Sequence, residues 1–145
     1  MTVLNEKSLS LRVPPQALEA ERAVLGCILI DPNAISSVAQ ILKVDSFYES
    51  VNKIIFENML FMFDQSKEID NISLIEQLKK TKQIDAVGGA FFITGLSNDA
   101  PTASNVEYYA KIVKDKEILR TIINSSIAMS ELAYESSLSS IEILD

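Results

Sequence analysis

The sequence predicts an all-α fold, in which a compact helical head is followed by a long helix that begins a helical hairpin. The chain has only 4 glycines and 4 prolines in 145 residues, against usual shares of about 7% and 5%. Between these breaks the apolar residues recur at helical spacing, and no stretch alternates for long enough to indicate a strand. After Pro101 the chain contains neither glycine nor proline, which favours one long terminal helix.

The first helix is predicted at about 17–30, after a flexible polar arm at residues 1–13. Its start follows from Pro15, because proline is tolerated in a first helical turn but cannot continue a helix from upstream. Gly26 lies in the middle of this helix, where glycine costs about 1 kcal/mol relative to alanine. We interpret Gly26 as a point of close approach by a neighbouring helix. Residues 14–101 are predicted to form the head.

The second and third helices follow from a capping pattern and from apolar spacing. Asp31 is expected to be the N-cap and Pro32 the first residue of a short helix that reaches Leu42. Phe47 and Tyr48 then lie in a connector that their rings hold against the core. The third helix is predicted over about 50–64. Its run from Met59 to Phe63 is apolar on every face, which favours a helix enclosed by its neighbours, with a groove for a partner as the alternative.

Two short helices complete the predicted head. Ser73 and Glu76 match a capping box, so a helix is expected from Ser73 to about Lys82. The lysines near its end are explained by the helix dipole, with a phosphate-binding patch as the alternative; these are Lys79, Lys80 and Lys82. The pair Gly88-Gly89 opens the next helix, which the Asp99-Ala100-Pro101 sequence closes.

Residues 102–145 are predicted as the long hairpin helix and the start of a second arm. Ser104 and Glu107 match another capping box, and a helix from Ser104 to Glu135 would be about 48 Å long. A globule of this size has a radius of gyration of only ~15 Å. The apolar face therefore needs cover from another arm or another subunit. The residues expected at this hairpin and subunit interface are Tyr109, Ile112, Val113, Leu119, Ile122, Ile123 and Ile127. The alternative is that they pack on the head of their own chain.

The charges and the lone cysteine restrict the class of protein. The formal net charge is −7, from 13 Lys+Arg against 20 Asp+Glu, which argues against a surface that wraps nucleic acid. All 13 bases precede Thr121, so the end of the chain is acidic. No apolar run approaches the ~20 residues of a membrane span, and we expect no membrane partner. The single Cys27 and the lack of a secretory signal favour the cytoplasm.

No motif in the sequence predicts catalysis. The chain has no histidine, which excludes a Ser-His-Asp triad, and no glycine-rich loop carries the lysine of a P-loop. Cys27 is interpreted as a small apolar residue rather than a reactive thiol. The acid pairs Glu19/Glu21 and Asp115/Glu117 are interpreted as solvated helix faces, because residues two apart diverge on a helix. We expect no catalytic, cofactor-binding or metal-binding residue, and a helical binding or assembly module.

The chain resembles the N-terminal domain of bacterial-type replicative DNA helicases, the DnaB family, over about residues 11–135. The most specific segment is the string from Val13 to Gly26, which reads Val-Pro-Pro-Gln-Ala-Leu-Glu-Ala-Glu-Arg-Ala-Val-Leu-Gly. Weaker similarities follow in the same order. They are Leu29-Ile30-Asp31-Pro32, Asp45-Ser46-Phe47-Tyr48, Ile55-Phe56, Ile69-Asp70, Gly88-Gly89, Tyr109-Ala110, Ile112-Val113 and Arg120.

This resemblance implies a role in assembly and protein docking. In that family the helical hairpins pair between subunits, and six N-terminal domains form a collar as a trimer of dimers. The collar stacks on motor domains that use ATP and Mg²⁺ to unwind DNA. The resemblance implies primase as a partner and a helicase loader as a further candidate, with single-stranded DNA contacted mainly by the motor.

The expected location is the cytoplasm, at the bacterial nucleoid and replisome, or the stroma if the chain is encoded by a plastid. The motor domain is expected to be absent from this chain, and the second hairpin arm is only begun. The alternative function is a free-standing helical adaptor, and a third, weaker hypothesis is an enzyme in its own right.

Overall fold

The computed structural model describes residues 12–135 and 139–144, and these ranges contain α-helices and short 3₁₀ turns but no strand. The all-α prediction is confirmed, while residues 1–11 of the predicted arm lie outside the described residues. Single 3₁₀ turns occur at Val44–Ser46 and Ala103–Asn105. The α-helices are α1 (Leu18–Ile30), α2 (Ala34–Ile41), α3 (Ser50–Asp64), α4 (Asn71–Lys80), α5 (Gly89–Asn98), α6 (Val106–Glu135) and α7 (Ser140–Leu144).

Helix α1 is the centre of the head. It packs against α2, α3, α5 and the first part of α6. Its side chains Val24, Leu25 and Ile28 are fully buried, and they contribute to one continuous apolar core. Burial of such side chains stabilises the fold by about 1.5–3 kcal/mol each. Helices α2, α3 and α5 therefore surround α1, and α4 packs on α3 and α5 at the outside, as expected for a compact helical head.

Gly26 marks the closest approach of α1 and α5, which confirms its interpretation from the sequence. A Cβ atom built at Gly26 would lie 2.2 Å from the backbone oxygen of Leu96 and 2.7 Å from Cβ of Ala100. Real Cβ atoms do not come so near to a backbone oxygen. Only glycine allows the two helices to pack at this distance, which explains why a poor helix former occupies the interior of α1.

Three predicted helix starts were wrong. The long helix α6 begins at Val106, after the 3₁₀ turn at Ala103–Asn105, rather than at Ser104. Helix α2 begins at Ala34 rather than at Pro32, because the Asp31 carboxylate accepts the Asn33 N–H at 3.2 Å in a turn that precedes the helix. Helix α4 begins at Asn71, with Asp70 as its N-cap.

The capping box of α4 joins Asp70 and Ser73. The Ser73 N–H donates to Asp70 Oδ1 at 2.7 Å, and the Asp70 N–H donates to Ser73 Oγ at 2.9 Å. Ser73 is thus the third residue of the helix instead of its cap. Glu76, the expected partner of Ser73, forms an exposed ion pair with Lys79 at 3.3 Å.

The prediction that helix α3 is enclosed on every face was also wrong. Met59 and Met62 are buried, but Phe61 and Phe63 are 48% and 44% exposed. Helix α3 lies at the outside of the head, so only one of its faces packs on the core. The ammonium group of Lys67 lies 5.9 Å from the ring centroid of Phe61 and covers part of that ring.

Candidate assembly surface on the long helix

The first two turns of α6 belong to the core of the head. Val106, Ala110 and Val113 are buried, and Tyr109 and Ile112 are half-buried against the same core. Of the predicted interface residues, Val113 is therefore covered by its own chain, and Tyr109 and Ile112 are covered in part. For these three residues the structure places the main packing on the head.

The second half of α6 presents large apolar side chains to solvent. The predicted interface residues Leu119, Ile122, Ile123 and Ile127 are 39%, 55%, 44% and 53% exposed. Two side chains that the prediction did not include, Ile118 and Met129, are exposed beside them. Together these residues form the surface called here the exposed stripe: Ile118, Leu119, Ile122, Ile123, Ile127 and Met129.

The exposed stripe lies on the part of α6 that extends beyond the head. Successive residues of an α-helix are about 100° apart, so residues seven or eleven positions apart point in nearly the same direction. The half-buried Ile112 therefore shares a face of the helix with the exposed Leu119 and Ile123. The continuous apolar face that the sequence predicted is thus present, but the head covers only its first turns. Beyond Arg120 the head no longer covers any side of the helix, since residues 121–131 are all exposed.

Most of the remaining surface of this part of α6 is polar. Thr121, Asn124, Glu131 and Glu135 lie on the side opposite the stripe, and every residue from 121 to 131 is exposed. Helix α7 contacts α6, as expected for a second arm, but it has only 5 residues and its own Ile141 and Leu144 are exposed. An apolar stripe bordered by polar residues is typical of a protein–protein contact surface.

Arg120 connects the exposed half of α6 to the head. Its Nη1 donates to the backbone oxygen of Pro15 at 2.8 Å, and its Nη2 donates to the backbone oxygen of Ser46 at 2.9 Å. The guanidinium carbon also lies 5.5 Å from the ring centroid of Tyr48, within cation–π distance. One side chain thus contacts three positions in two separate segments of the head.

Glu117, one turn before Arg120, is not a solvated acid as the sequence suggested. Its burial by itself raises the pKa, but hydrogen bonds from Lys114 and Ser46 and the positive charges of Lys114 and Arg120 outweigh burial, so the pKa lies below the ordinary value of 4.5. Lys114 Nζ lies 2.6 Å from Glu117 Oε1. The ionised carboxylate therefore belongs to the same polar junction between α6 and the head.

Glu21 was also interpreted from the sequence as a solvated acid. This interpretation was wrong, because Glu21 is buried in the head. Its carboxylate accepts hydrogen bonds from the N–H groups of Tyr48 and Glu49, at 2.8 and 3.3 Å, and from Asn52 Nδ2 at 3.0 Å. These contacts hold the connector in front of α3 against α1. The spacing of residues along one helix could not predict these hydrogen bonds, because the partners lie at least 27 residues from Glu21 in the sequence.

A second apolar surface is a groove between α1, α5 and the start of α6. Its volume is about 1090 Å³, and it is bordered by Leu18, Phe92, Leu96 and Ile112. Phe91 stands at the edge of this groove with 91% of its surface exposed. The sequence assigned Phe91 to a helix but did not indicate that its ring points into solvent.

Other chemistry is limited in the described part of the chain. Cys27 is buried, which raises the pKa of its thiol, and its Sγ lies 3.6 Å from the backbone oxygen of Pro101. A buried, protonated thiol is a packing group, as the sequence predicted. Among residues 12–135 and 139–144 there is no group of three acidic or cysteine side chains placed to hold a metal ion, and none of the helices there could span a bilayer.

The described residues thus define an all-helical domain that carries an exposed apolar stripe on its last long helix. The family profile described as "DnaB-like helicase N terminal domain" matches residues 13–115. The chain therefore belongs to the family of DnaB-like helicase N-terminal domains, which confirms the resemblance.

Curated relatives agree with this assignment. Over 123 residues the chain is 38% identical to the replicative DNA helicase DnaC of Bacillus subtilis, covering 85% of this chain and 27% of the relative. Over 125 residues it is 37% identical to the replicative DNA helicase DnaB of Geobacillus stearothermophilus, covering 86% and 28%. The match thus spans a little over a quarter of the length of these relatives.

Solved structures share the fold. The N-terminal domain of DnaB helicase from Mycobacterium tuberculosis has a TM-score of 0.82 and 28% identity, with coverage of 92% of this chain and 94% of that domain. The N-terminal domain of DnaB helicase from Helicobacter pylori, which was studied with its interactions with primase, has a TM-score of 0.68 and 25% identity, with coverage of 79% and 89%.

Proposed function

We propose that this chain is the assembly and protein-docking domain of a replicative DNA helicase, and that it pairs subunits through the exposed stripe of α6. In the assembled helicase the pairs would build a hexameric collar as a trimer of dimers. The observation that supports this most strongly is the exposure of the stripe. Its apolar side chains lie where α6 extends beyond the core of the described chain, so that they are available to a partner.

The activity of the whole helicase is part of the same proposal. The relatives named above are replicative DNA helicases, and this chain corresponds to a little over a quarter of their length. We propose that the complete protein unwinds DNA at the replication fork with ATP and Mg²⁺ held by a separate motor domain. That motor would also make the main contact with single-stranded DNA. A helicase loader is a further proposed partner, and the replisome the proposed location.

Placing a charge in the stripe is expected to abolish pairing. The double variant Leu119→Asp with Ile123→Asp buries two carboxylates in the proposed contact, where each unpaired charge costs several kcal/mol. The molar mass measured by light scattering should fall to that of a single chain of 16.0 kDa. The helical circular dichroism of the head should remain, because both side chains are exposed in the folded chain.

The matched control places the same charges on the opposite side of the same helix. Thr121→Asp with Asn124→Asp should keep the mass of the unmodified chain, since these exposed positions lie outside the stripe. If the stripe variant retains the mass of the paired chain, or if both double variants lose pairing equally, the stripe is not the pairing surface.

We further propose that primase binds the apolar groove and its exposed Phe91. The similar Helicobacter pylori domain has interactions with primase, and the residues that border the groove are not members of the exposed stripe. Phe91→Ser is expected to weaken primase binding about tenfold in titration calorimetry, because exposed aromatic anchors dominate such contacts. Ile72→Ser is the control, since Ile72 is exposed on α4, away from the groove. Equal affinities for both variants would contradict this assignment.

A further inference from the structure

Arg120 lies at the point where α6 leaves the head. Pro15, which precedes α1, and Ser46, which ends the first 3₁₀ turn, each supply a backbone oxygen to its guanidinium, at 2.8 and 2.9 Å. The planar guanidinium offers donors in a fixed arrangement, whereas a lysine ammonium is a single point with freely rotating donors. Arg120 can therefore fix both the position and the rotation of α6 relative to two head segments.

The third contact of Arg120 is with Tyr48, a residue that is hydrogen-bonded to the interior of the head. The Tyr48 ring lies under the guanidinium, and the Tyr48 N–H donates to the buried carboxylate of Glu21 at 2.8 Å. The contacts thus run from the buried acid in α1, through the connector, to the long helix. The hydrogen bond to Glu21 holds the backbone of Tyr48 in place, and the ring of this residue contacts Arg120.

The length of α6 beyond Arg120 makes this direction important. Residues 121–131 are all exposed, and the helix continues to Glu135, about 22 Å from Arg120 at 1.5 Å per residue. A tilt of about 10° at Arg120 would move that end by about 4 Å over this length. Close shape complementarity between two surfaces does not survive displacements of this size.

We propose that Arg120 is a positioning residue, which sets the direction in which the exposed stripe projects from the head and thereby the strength of pairing. This inference rests on the proposed function, in which the stripe pairs subunits. Arg120 itself does not need to touch the second subunit. Its effect is to present Leu119, Ile123 and Ile127 at one fixed angle.

The test measures the direction of α6 and the strength of pairing separately. Spin labels at Glu68→Cys on the head and Glu131→Cys on α6, in a Cys27→Ala background, report the intramolecular distance by electron spin resonance. Dilution with unlabelled chain removes distances between subunits. Arg120→Lys is expected to broaden this distance distribution and to weaken pairing about tenfold in sedimentation equilibrium. The helicity of the head should be unchanged.

A second variant removes only the ring under the guanidinium. Tyr48→Leu keeps both hydrogen bonds of Arg120 and should broaden the distribution less than Arg120→Lys does. If both variants keep the narrow distribution and lose only thermal stability, Arg120 is a purely structural contact and the inference is wrong. If the unmodified chain does not pair at any concentration, the proposed function fails, whereas the distance measurement still decides whether Arg120 orients α6.

Discussion

Replacing Gly26 by alanine is expected to destabilise the head by about 3 kcal/mol or more, in the upper range for overpacked cores. The new Cβ would lie 2.2 Å from the backbone oxygen of Leu96 and 2.7 Å from Cβ of Ala100. A backbone oxygen cannot move aside as a flexible side chain can, so α5 would have to shift as a unit. In a domain of this size the midpoint of thermal unfolding should fall by about 6–12 °C.

Gly95→Ala is the matched control for this experiment. Gly95 is also inside a helix, but a Cβ built there meets no atom within 4 Å. The alanine should leave the stability unchanged or raise it by up to about 1 kcal/mol, because alanine is the better helix former. If Gly26→Ala were as stable as Gly95→Ala, the close approach of α1 and α5 would be wrong.

Removal of the buried Glu21 carboxylate is expected to cost about 4 kcal/mol, because three donors lose a charged acceptor at once. In Glu21→Ala the N–H groups of Tyr48 and Glu49 and the amide of Asn52 would have no partner on α1. Unfolding in urea should show a lower midpoint. Since the connector also carries the Tyr48 ring, pairing should weaken as well.

Glu19→Ala separates this effect from a general loss of negative charge. Glu19 lies two residues away on the same helix, but it is exposed. Its replacement should change the free energy of unfolding by no more than about 0.5 kcal/mol. Similar losses of stability for Glu19→Ala and Glu21→Ala would show that the hydrogen bonds of Glu21 contribute little.

Features set by local sequence could be predicted. The bounds of α3 at Ser50–Asp64 match the predicted 50–64, and α1 begins within one residue of the predicted start. Gly26 was interpreted correctly because glycine in the middle of an apolar helix has few physical explanations. The length of α6 followed from the lack of glycine and proline after Pro101.

Features set by tertiary packing could not be predicted. Asp70 and Ser73 both suit a helix start, and only the structure shows which of them is the cap. Glu21 and Glu19 look alike in the sequence, but one of them faces the connector and the other faces water. The change from the buried Val113 to the exposed Ile122 depends on where the head ends against α6. Spacing along one helix carries no information about that position.

The measurement that tests the central claim most directly is amide hydrogen exchange along α6 as a function of protein concentration. A helical segment without tertiary contacts is only marginally stable, so residues 121–131 should exchange quickly in dilute solution. If a second copy covers the exposed stripe, their exchange should slow as the concentration rises, while exchange at Val24 and Leu25 in the core stays constant. Exchange at residues 121–131 that does not depend on concentration would contradict pairing through α6.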